Sequence, residues 1–154
     1  ANAKDKFYFV IIGDGSNKEK FLSKINGKID FTDFGSLSSA KLSEVLVACD
    51  ASIIPRKSIQ KDTGGNIPVK CFESWAAGLP VILSTNEDSF LHKLFENNSG
   101  VMLIEPNNKK VLIDSLKIFI EKDDLELLGL VGRDFAIEKF DRMKNAENFV
   151  DNCF

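Results

Sequence analysis

Lys70 and Glu73 stand one helical turn apart in the stretch GGNIPVKCFESWAAGLPVI, residues 64–82. Proline is favoured in the first turn of a helix, where its missing N–H costs nothing, so Pro68 fixes a helix start. The free N–H groups of the preceding loop and first turn then converge on one spot. Gly64 and Gly65 leave the backbone bare there, which suits an anion such as phosphate. Lys70 falls in that first turn. The helix dipole opposes a cation in that position by roughly 0.3–1 kcal/mol, and a bound anion removes the penalty. Glu73, at i+3, lies on the face of Lys70. A carboxylate accepts two hydrogen bonds at once, which suits a vicinal diol such as ribose. Val69, Phe72 and Ala76 lie on another side and read as core. The competing reading is a surface Lys–Glu pair worth a few tenths of a kcal/mol; spacing alone leaves both open.

The surrounding pattern supplies the elements that must hold these residues. An apolar, β-rich run at 7–12 ends at Gly13-Asp14-Gly15 and reads as a buried strand and turn. A helix from Asn17 stops at Gly27, and a second strand covers 29–34 before Gly35. Ser38 or Ser39 caps the next helix, where Leu42, Val45, Leu46 and Cys49 recur at helical spacing. A third strand at 51–54 closes on Pro55. A polar loop then runs from Arg56 to Ile67, the longest in the chain, and long loops in compact domains are often functional. The helix at 68–77 stops at Gly78, and strands follow at 81–83 and 101–104 around a helix at 87–96 capped by Asn86. The remainder is helical: 109–122, then a helix capped by Asp123 and a last one capped by Asp141.

Strand and helix thus alternate five times, which means an α/β, three-layer Rossmann-like domain with a five-stranded parallel sheet. Ligands bind such sheets outside the carboxyl ends of the strands. The chain of 154 residues suits a single domain. Its net charge of −3 gives no support to a nucleic-acid partner. No apolar run reaches the roughly 18 residues of a membrane span, and no signal peptide is visible. Cys49, Cys71 and Cys153 fit no zinc spacing. Cys49 and Cys71 fall in helical, partly apolar contexts and are expected as buried thiols, which fits a reducing cytoplasm.

The stretch NIPVKCFESWAAGLPVILS resembles a segment of the retaining nucleotide-sugar glycosyltransferases with two Rossmann-like domains, the GT-B fold. Group 1 members often carry S-P-x-K-x-F-E-Y-x-A-x-G-x-P-V-I, and Pro68, Lys70, Phe72, Glu73, Ala76, Gly78, Pro80, Val81 and Ile82 match it. FVIIGDGSNKEKFL resembles the family's strand, G-x-G and helix unit. IDFTDFGSLSSAKLSEVLVACDASIIP resembles the next strand, helix and proline-ended strand, and DLELLGLVGRDFAIEKFD the helix before the terminal one. The likeness covers nearly the whole chain in order.

The resemblance implies the C-terminal, donor-binding domain of such an enzyme. It implies that Glu73 holds the ribose hydroxyls of a nucleotide diphosphate, and that Lys70 with the backbone of Gly64, Gly65, Asn66 and Ile67 faces the diphosphate or sugar. Phe34, Gly35, Ser36 and Leu37 would border the base through main-chain groups, and Gly13 to Gly15, including Gly13 and Gly15 themselves, would line the cleft. No metal and no further cofactor is implied: helix dipoles and cationic side chains carry the leaving-group charge. The implied partners are a nucleotide-sugar donor and a glycan or lipid-linked acceptor in polysaccharide biosynthesis. The parent would be cytoplasmic, with peripheral association at the inner face of the membrane.

Two departures matter. Many members carry a pair of glutamates on this stretch; Glu73 matches the second, and the first falls at Gly65. The family domain also begins with another strand, ending in a G-R motif with a lysine soon after, and nothing before Phe7 supplies it. That strand lies centrally in the family, so the five strands present here are expected to close in order 2-1-3-4-5, as in flavodoxin-like sheets. The acceptor-binding half is absent too, and the chain by itself is expected to be inactive.

Other residues have plainer readings. His92 is expected at the surface, with no nucleophile or orienting carboxylate beside it. Trp75 is expected in the core. Arg56, Lys57 and Lys61 either face phosphate or are solvated loop charges. Alternatives to a transferase are a non-catalytic nucleotide-binding module and a sugar-nucleotide epimerase of related fold. A receiver-like domain needs an aspartate ending strand three, where this chain has Ile54-Pro55.

Overall fold

Val81-Ile82-Leu83-Ser84 is an apolar run with no polar alternation, the pattern of a strand covered on both faces. In the computed structural model, which describes residues 7–56, 67–97 and 100–153, all four residues are buried. This strand, β4 (Val81–Ser84), is central in a parallel three-stranded sheet between β3 (Ser52–Ile54) and β5 (Val101–Ile104). Alternate residues feed opposite layers. Val81 and Leu83 join Ile54, Cys71, Trp75, Leu91, Phe95 and Val101 beneath α3 (Val69–Ala76) and α4 (Phe90–Phe95). Ile82 joins Ile104 and Phe119 beneath α5 (Lys109–Glu121). Two helices complete the chain, α6 (Leu125–Phe140) and α7 (Arg142–Cys153).

The first strand, β1 (Tyr8–Ile12), leads through α1 (Lys18–Ile25) to β2 (Asp30–Gly35), its parallel partner; α2 (Ser39–Leu46) follows. The chain divides into two compact units, Ala1–Val45 and Leu46–Phe154. Among the described residues the buried hydrophobic ones all fall in the second. The single five-stranded sheet of order 2-1-3-4-5 is therefore not formed: the sheets are β1-β2 and β3-β4-β5. β3 is only three residues long, and its described ladder is made to β4. No described helix is long and apolar enough to cross a membrane.

Several boundaries differ from expectation. Pro68 is the N-cap of α3, extended at φ −60°, ψ 129°, rather than a residue of its first turn. Helix α4 is capped by Ser89, whose hydroxyl accepts the His92 N–H; Asn86 lies further upstream. Ser89 is also tied to Thr85 Oγ1 at 2.7 Å, so this buried cap is held in place from β4. Asp124 rather than Asp123 occupies the N-cap of α6, without a side-chain cap bond. Asp141 caps α7 as expected, accepting from the N–H groups of Met143 and Lys144.

The buried face of α3 is Cys71, Ser74 and Trp75. Val69 and Ala76, expected in the core, are exposed, while Phe72 packs at its margin. Ser74 can be buried because its hydroxyl donates back to the Lys70 carbonyl at 2.7 Å. Gly78 ends the helix as expected. At φ +75° it lets its own N–H reach Trp75 O and the Leu79 N–H reach Ser74 O, both at 2.9 Å. That is the paired bonding of a Schellman cap.

Trp75 sits among four phenylalanines. Its ring meets Phe72, Phe95 and Phe135 edge-on at 5.7, 5.4 and 5.9 Å, and Phe140 closes the group against Phe72 and Phe135. Helix α6 approaches this group through Gly129 and Gly132, both buried. A Cβ on Gly129 would fall on the Gly78 carbonyl, and one on Gly132 would lie 2.6 Å from Trp75 Nε1. A helical glycine costs about 1 kcal/mol relative to alanine; here the bare backbone allows the helix to lie directly on the α3–β4 turn and the indole.

Candidate functional site

The candidate residues fall in both units, and each group is built by local chemistry of its own. In the first unit β1 runs out at Gly13, whose φ of +120° excludes a side chain without strain. The Gly13 N–H donates to the Gly35 carbonyl at 2.7 Å, so the strand ends of β1 and β2 are joined at the two glycines singled out in the sequence. Gly15 accepts the Lys18 N–H at 3.0 Å, and its own N–H donates to Asp14 Oδ1 at 2.8 Å, shaping the turn into α1. Ser36 is exposed and Leu37 half-buried.

The β1–β2 register contains a bulge. Ile11 faces Asp33 and Ile12 faces Gly35, so Phe34 is the extra residue and its side chain is 45% exposed. Sequence reading missed what braces this bulge. Asp33 Oδ1 accepts the Gly35 N–H at 3.0 Å, and Oδ2 pairs with Lys18 Nζ at 2.9 Å. The Lys18 ammonium, then the Gly35 N–H, hold the Asp33 carboxyl below the usual carboxylate range. A contact across fifteen positions of chain gives no periodic signal, so only the register reveals it.

In the second unit Ile67, Lys70 and Glu73 are described; Gly64, Gly65 and Asn66, like Lys57 and Lys61, lie outside the described residues. Ile67 is half-buried against the core, which fixes the entry to α3. Lys70 is exposed and Glu73 half-buried. The two do not pair. Lys41 and Glu44, at the same spacing on α2, close to 2.7 Å, and Asp114 and Lys117 on α5 to 3.6 Å. Among the described residues neither the Lys70 ammonium nor the Glu73 carboxylate has an ion-pair or hydrogen-bond partner. The two side chains therefore stand apart on the helix without a direct ion pair between them.

Arg56 is the second cation with an electrostatic reach to this end of α3. Its backbone is clamped by Ser84 at the end of β4: the Arg56 N–H donates to Ser84 Oγ, and the hydroxyl donates to the Arg56 carbonyl at 2.9 Å. Cys71 lies within the field of Arg56 and Lys70, but burial dominates and pushes its thiol up to about 12. Thiolate is the reactive form, so native alkylation by iodoacetamide at about pH 8 should label exposed Cys153 first. Cys49 should follow slowly, since burial and then Asp50 raise its thiol, and Cys71 should react only on unfolding. Peptide mass spectrometry over time checks the order.

His92 is half-buried rather than at the surface, and its Nδ1 has no hydrogen-bond partner among the described residues. Trp75 is core, as expected. A groove of about 440 Å³ lies against β5, lined by Glu96, Met102, Phe119, Lys122 and Leu128 among others, and none of the candidate residues borders it. Among the described residues no cluster of three or more His, Cys, Asp or Glu side chains could hold a metal.

Residues 1–122 match the family described as glycosyl transferases group 1, and the chain belongs to that family. Its fold is similar to that of Anabaena Alr3699/HepE in complex with UDP, with a TM-score of 0.67 at 15% identity. The crystal structure of Alr3699/HepE with UDP and glucose gives 0.68 at 14%. Both comparisons cover 93% of this chain and 39% of the other, so the chain spans well under half the length of these relatives. No curated protein matches the chain.

Proposed function

We propose that the chain is the donor-binding portion of a retaining glycosyltransferase that moves a sugar from a nucleotide diphosphate to a glycan or lipid-linked acceptor in polysaccharide biosynthesis. The observation that carries this reading is Glu73: a half-buried carboxylate without a partner among the described residues, one turn along α3 from an equally unpaired Lys70. Glu73 accepts from the two ribose hydroxyls. Lys70 faces the diphosphate together with the main chain of 64–67, and the main chain of 34–37 borders the base. UDP in the Alr3699/HepE complexes supports a nucleoside diphosphate as the ligand class.

In the transfer, the bond between the anomeric carbon and the diphosphate oxygen breaks while the acceptor oxygen bonds to that carbon. Negative charge collects on the diphosphate. Lys70 and the positive end of α3 stabilise it without a metal. Gly65 at the place of the first family glutamate withdraws one sugar contact, so the nucleotide half of the donor is gripped more firmly than the sugar. A lipid-linked acceptor would bring the parent to the inner face of the membrane as a peripheral protein. The chain alone binds nucleotide weakly and transfers nothing.

Calorimetric titration of the chain with UDP, GDP and ADP tests this. Binding of at least one nucleotide is expected, and Glu73→Ala should weaken it about tenfold or more, the worth of hydrogen bonds to a charged acceptor. Unchanged affinity in that variant would sink the ribose role; absence of any nucleotide binding would sink the reading as a whole.

A further inference from the structure

Bulges are uncommon in parallel strand pairs and occur preferentially where a side chain must be re-aimed or beside a functional site. The bulge at Phe34 lies in the segment assigned to the base. Its brace is also unlike the other ion pairs of the described residues. Lys18 and Asp33 are 20% and 22% exposed, against 50–65% for the other three pairs. Lys18 is the first residue of α1, whose N-cap Asn17 makes no side-chain cap bond. A cation there is opposed by the helix dipole, and the Asp33 carboxylate offsets that opposition. The same carboxylate satisfies the N–H of Gly35, which stands at φ +65° and would meet Lys18 Nζ at 3.6 Å if it carried a Cβ.

One aspartate therefore ties three things together: the start of α1, the left-handed turn at Gly35, and, through the Gly35 carbonyl, the end of β1 at Gly13. The residue flanked by these ties is Phe34, which is left exposed.

We infer that Lys18 and Asp33 are positioning residues that set base selectivity, holding the Phe34–Gly35 bulge in the one conformation that presents its main chain and ring to a nucleotide base. This rests on the donor-binding reading. Neither residue need touch the nucleotide. A base is selected by donors and acceptors at fixed places, and a backbone free to relax can satisfy several bases equally. Loss of the brace therefore costs discrimination more than it costs affinity for phosphate.

The test titrates the 154-residue chain calorimetrically with UDP, ADP, GDP and inorganic pyrophosphate. Variants are Asp33→Asn, Lys18→Met and Lys18→Arg. Lys18→Met keeps the Asp33–Gly35 bond and remains informative if Asp33→Asn does not fold. The ratio between the best-bound and worst-bound nucleotide should fall about tenfold in Asp33→Asn and Lys18→Met, the scale of a lost charge-assisted hydrogen bond. Lys18→Arg should restore most of the ratio, and pyrophosphate affinity should stay within about twofold throughout. An unchanged ratio in a folded Asp33→Asn or Lys18→Met overturns the inference alone. So do equal losses for nucleotide and pyrophosphate, or a wild-type chain that binds nucleotides without base preference. A wild-type chain that binds no nucleotide overturns the donor-binding reading and this role with it.

Discussion

Gly129→Ala is expected to lower the melting temperature by about 6–12 °C, corresponding to about 3 kcal/mol in a chain of this size. On an exposed helix the same change stabilises by about 1 kcal/mol. The sign reverses because the new methyl would land on the Gly78 carbonyl. That carbonyl belongs to the Schellman turn closing α3 and cannot move without breaking its cap, so α6 must lift instead. Lifting α6 also withdraws Gly132 from Trp75 and from Gly100, whose own Cβ would lie 2.6 Å from Gly132 Cα. Gly15 supplies the contrast: it has ordinary φ and nothing within 4 Å of a Cβ. Gly15→Ala should leave the melting temperature within about 2 °C of wild type. Circular dichroism melts of the two variants decide the matter; equal melting temperatures would mean that α6 does not lie on the turn.

Trp75→Ala is expected to cost about 3–5 kcal/mol and, in a domain this size, to leave the second unit poorly folded at physiological temperature. The ring is fully buried and is the common neighbour of Phe72, Phe95 and Phe135. Its removal empties the layer between α3, α4 and α6. Trp75→Phe should cost distinctly less, about 1–2 kcal/mol, despite the smaller ring. The indole Nε1 is buried without a hydrogen-bond partner among the described residues, and phenylalanine removes that unsatisfied donor along with the lost volume. Urea unfolding followed by far-UV circular dichroism separates the two substitutions. Similar costs for Ala and Phe would show that packing is not what the indole contributes.

Periodicity and punctuation were enough to read the order of strands and helices, because each apolar run here is bounded by glycine, proline or a capping residue. The α3 stop at Gly78 and the Asp141 cap are chemistry that residue type announces directly. The buried face of α3 was not legible. Its stripe is Cys71, Ser74 and Trp75, and the serine disguises it; only the back-bond to Lys70 makes that hydroxyl tolerable inside. Val69, apolar and exposed, completed the misreading. Strand pairing was illegible for a different reason: alternation predicts which faces are buried but not which edges meet, and β1 and β3 are not hydrogen-bonded neighbours. Lys70 and Glu73 are proposed as site residues from type and spacing, since an ill-placed cation beside a carboxylate is visible in sequence. The Lys18–Asp33 pair gave no such signal, because it braces a bulge at Phe34, opposite the step from Ile11 to Ile12, that only the strand register reveals. The role of Gly129 and Gly132 had a signal, two glycines at i and i+3 inside a helical run, but its meaning depends on what lies opposite.

The phenylalanine cage around Trp75 also gives the chain a built-in optical reporter. There is one tryptophan in the sequence, and it follows Glu73 by two positions on the same helix. Excitation beyond tyrosine absorption selects it alone, and its enclosure by apolar rings sets a blue emission for the folded state. On the proposed reading, a nucleotide held by Lys70 and Glu73 would load the same short helix that carries the indole. The proposed nucleotide binding is therefore testable in the unlabelled chain by the colour and lifetime of a single residue.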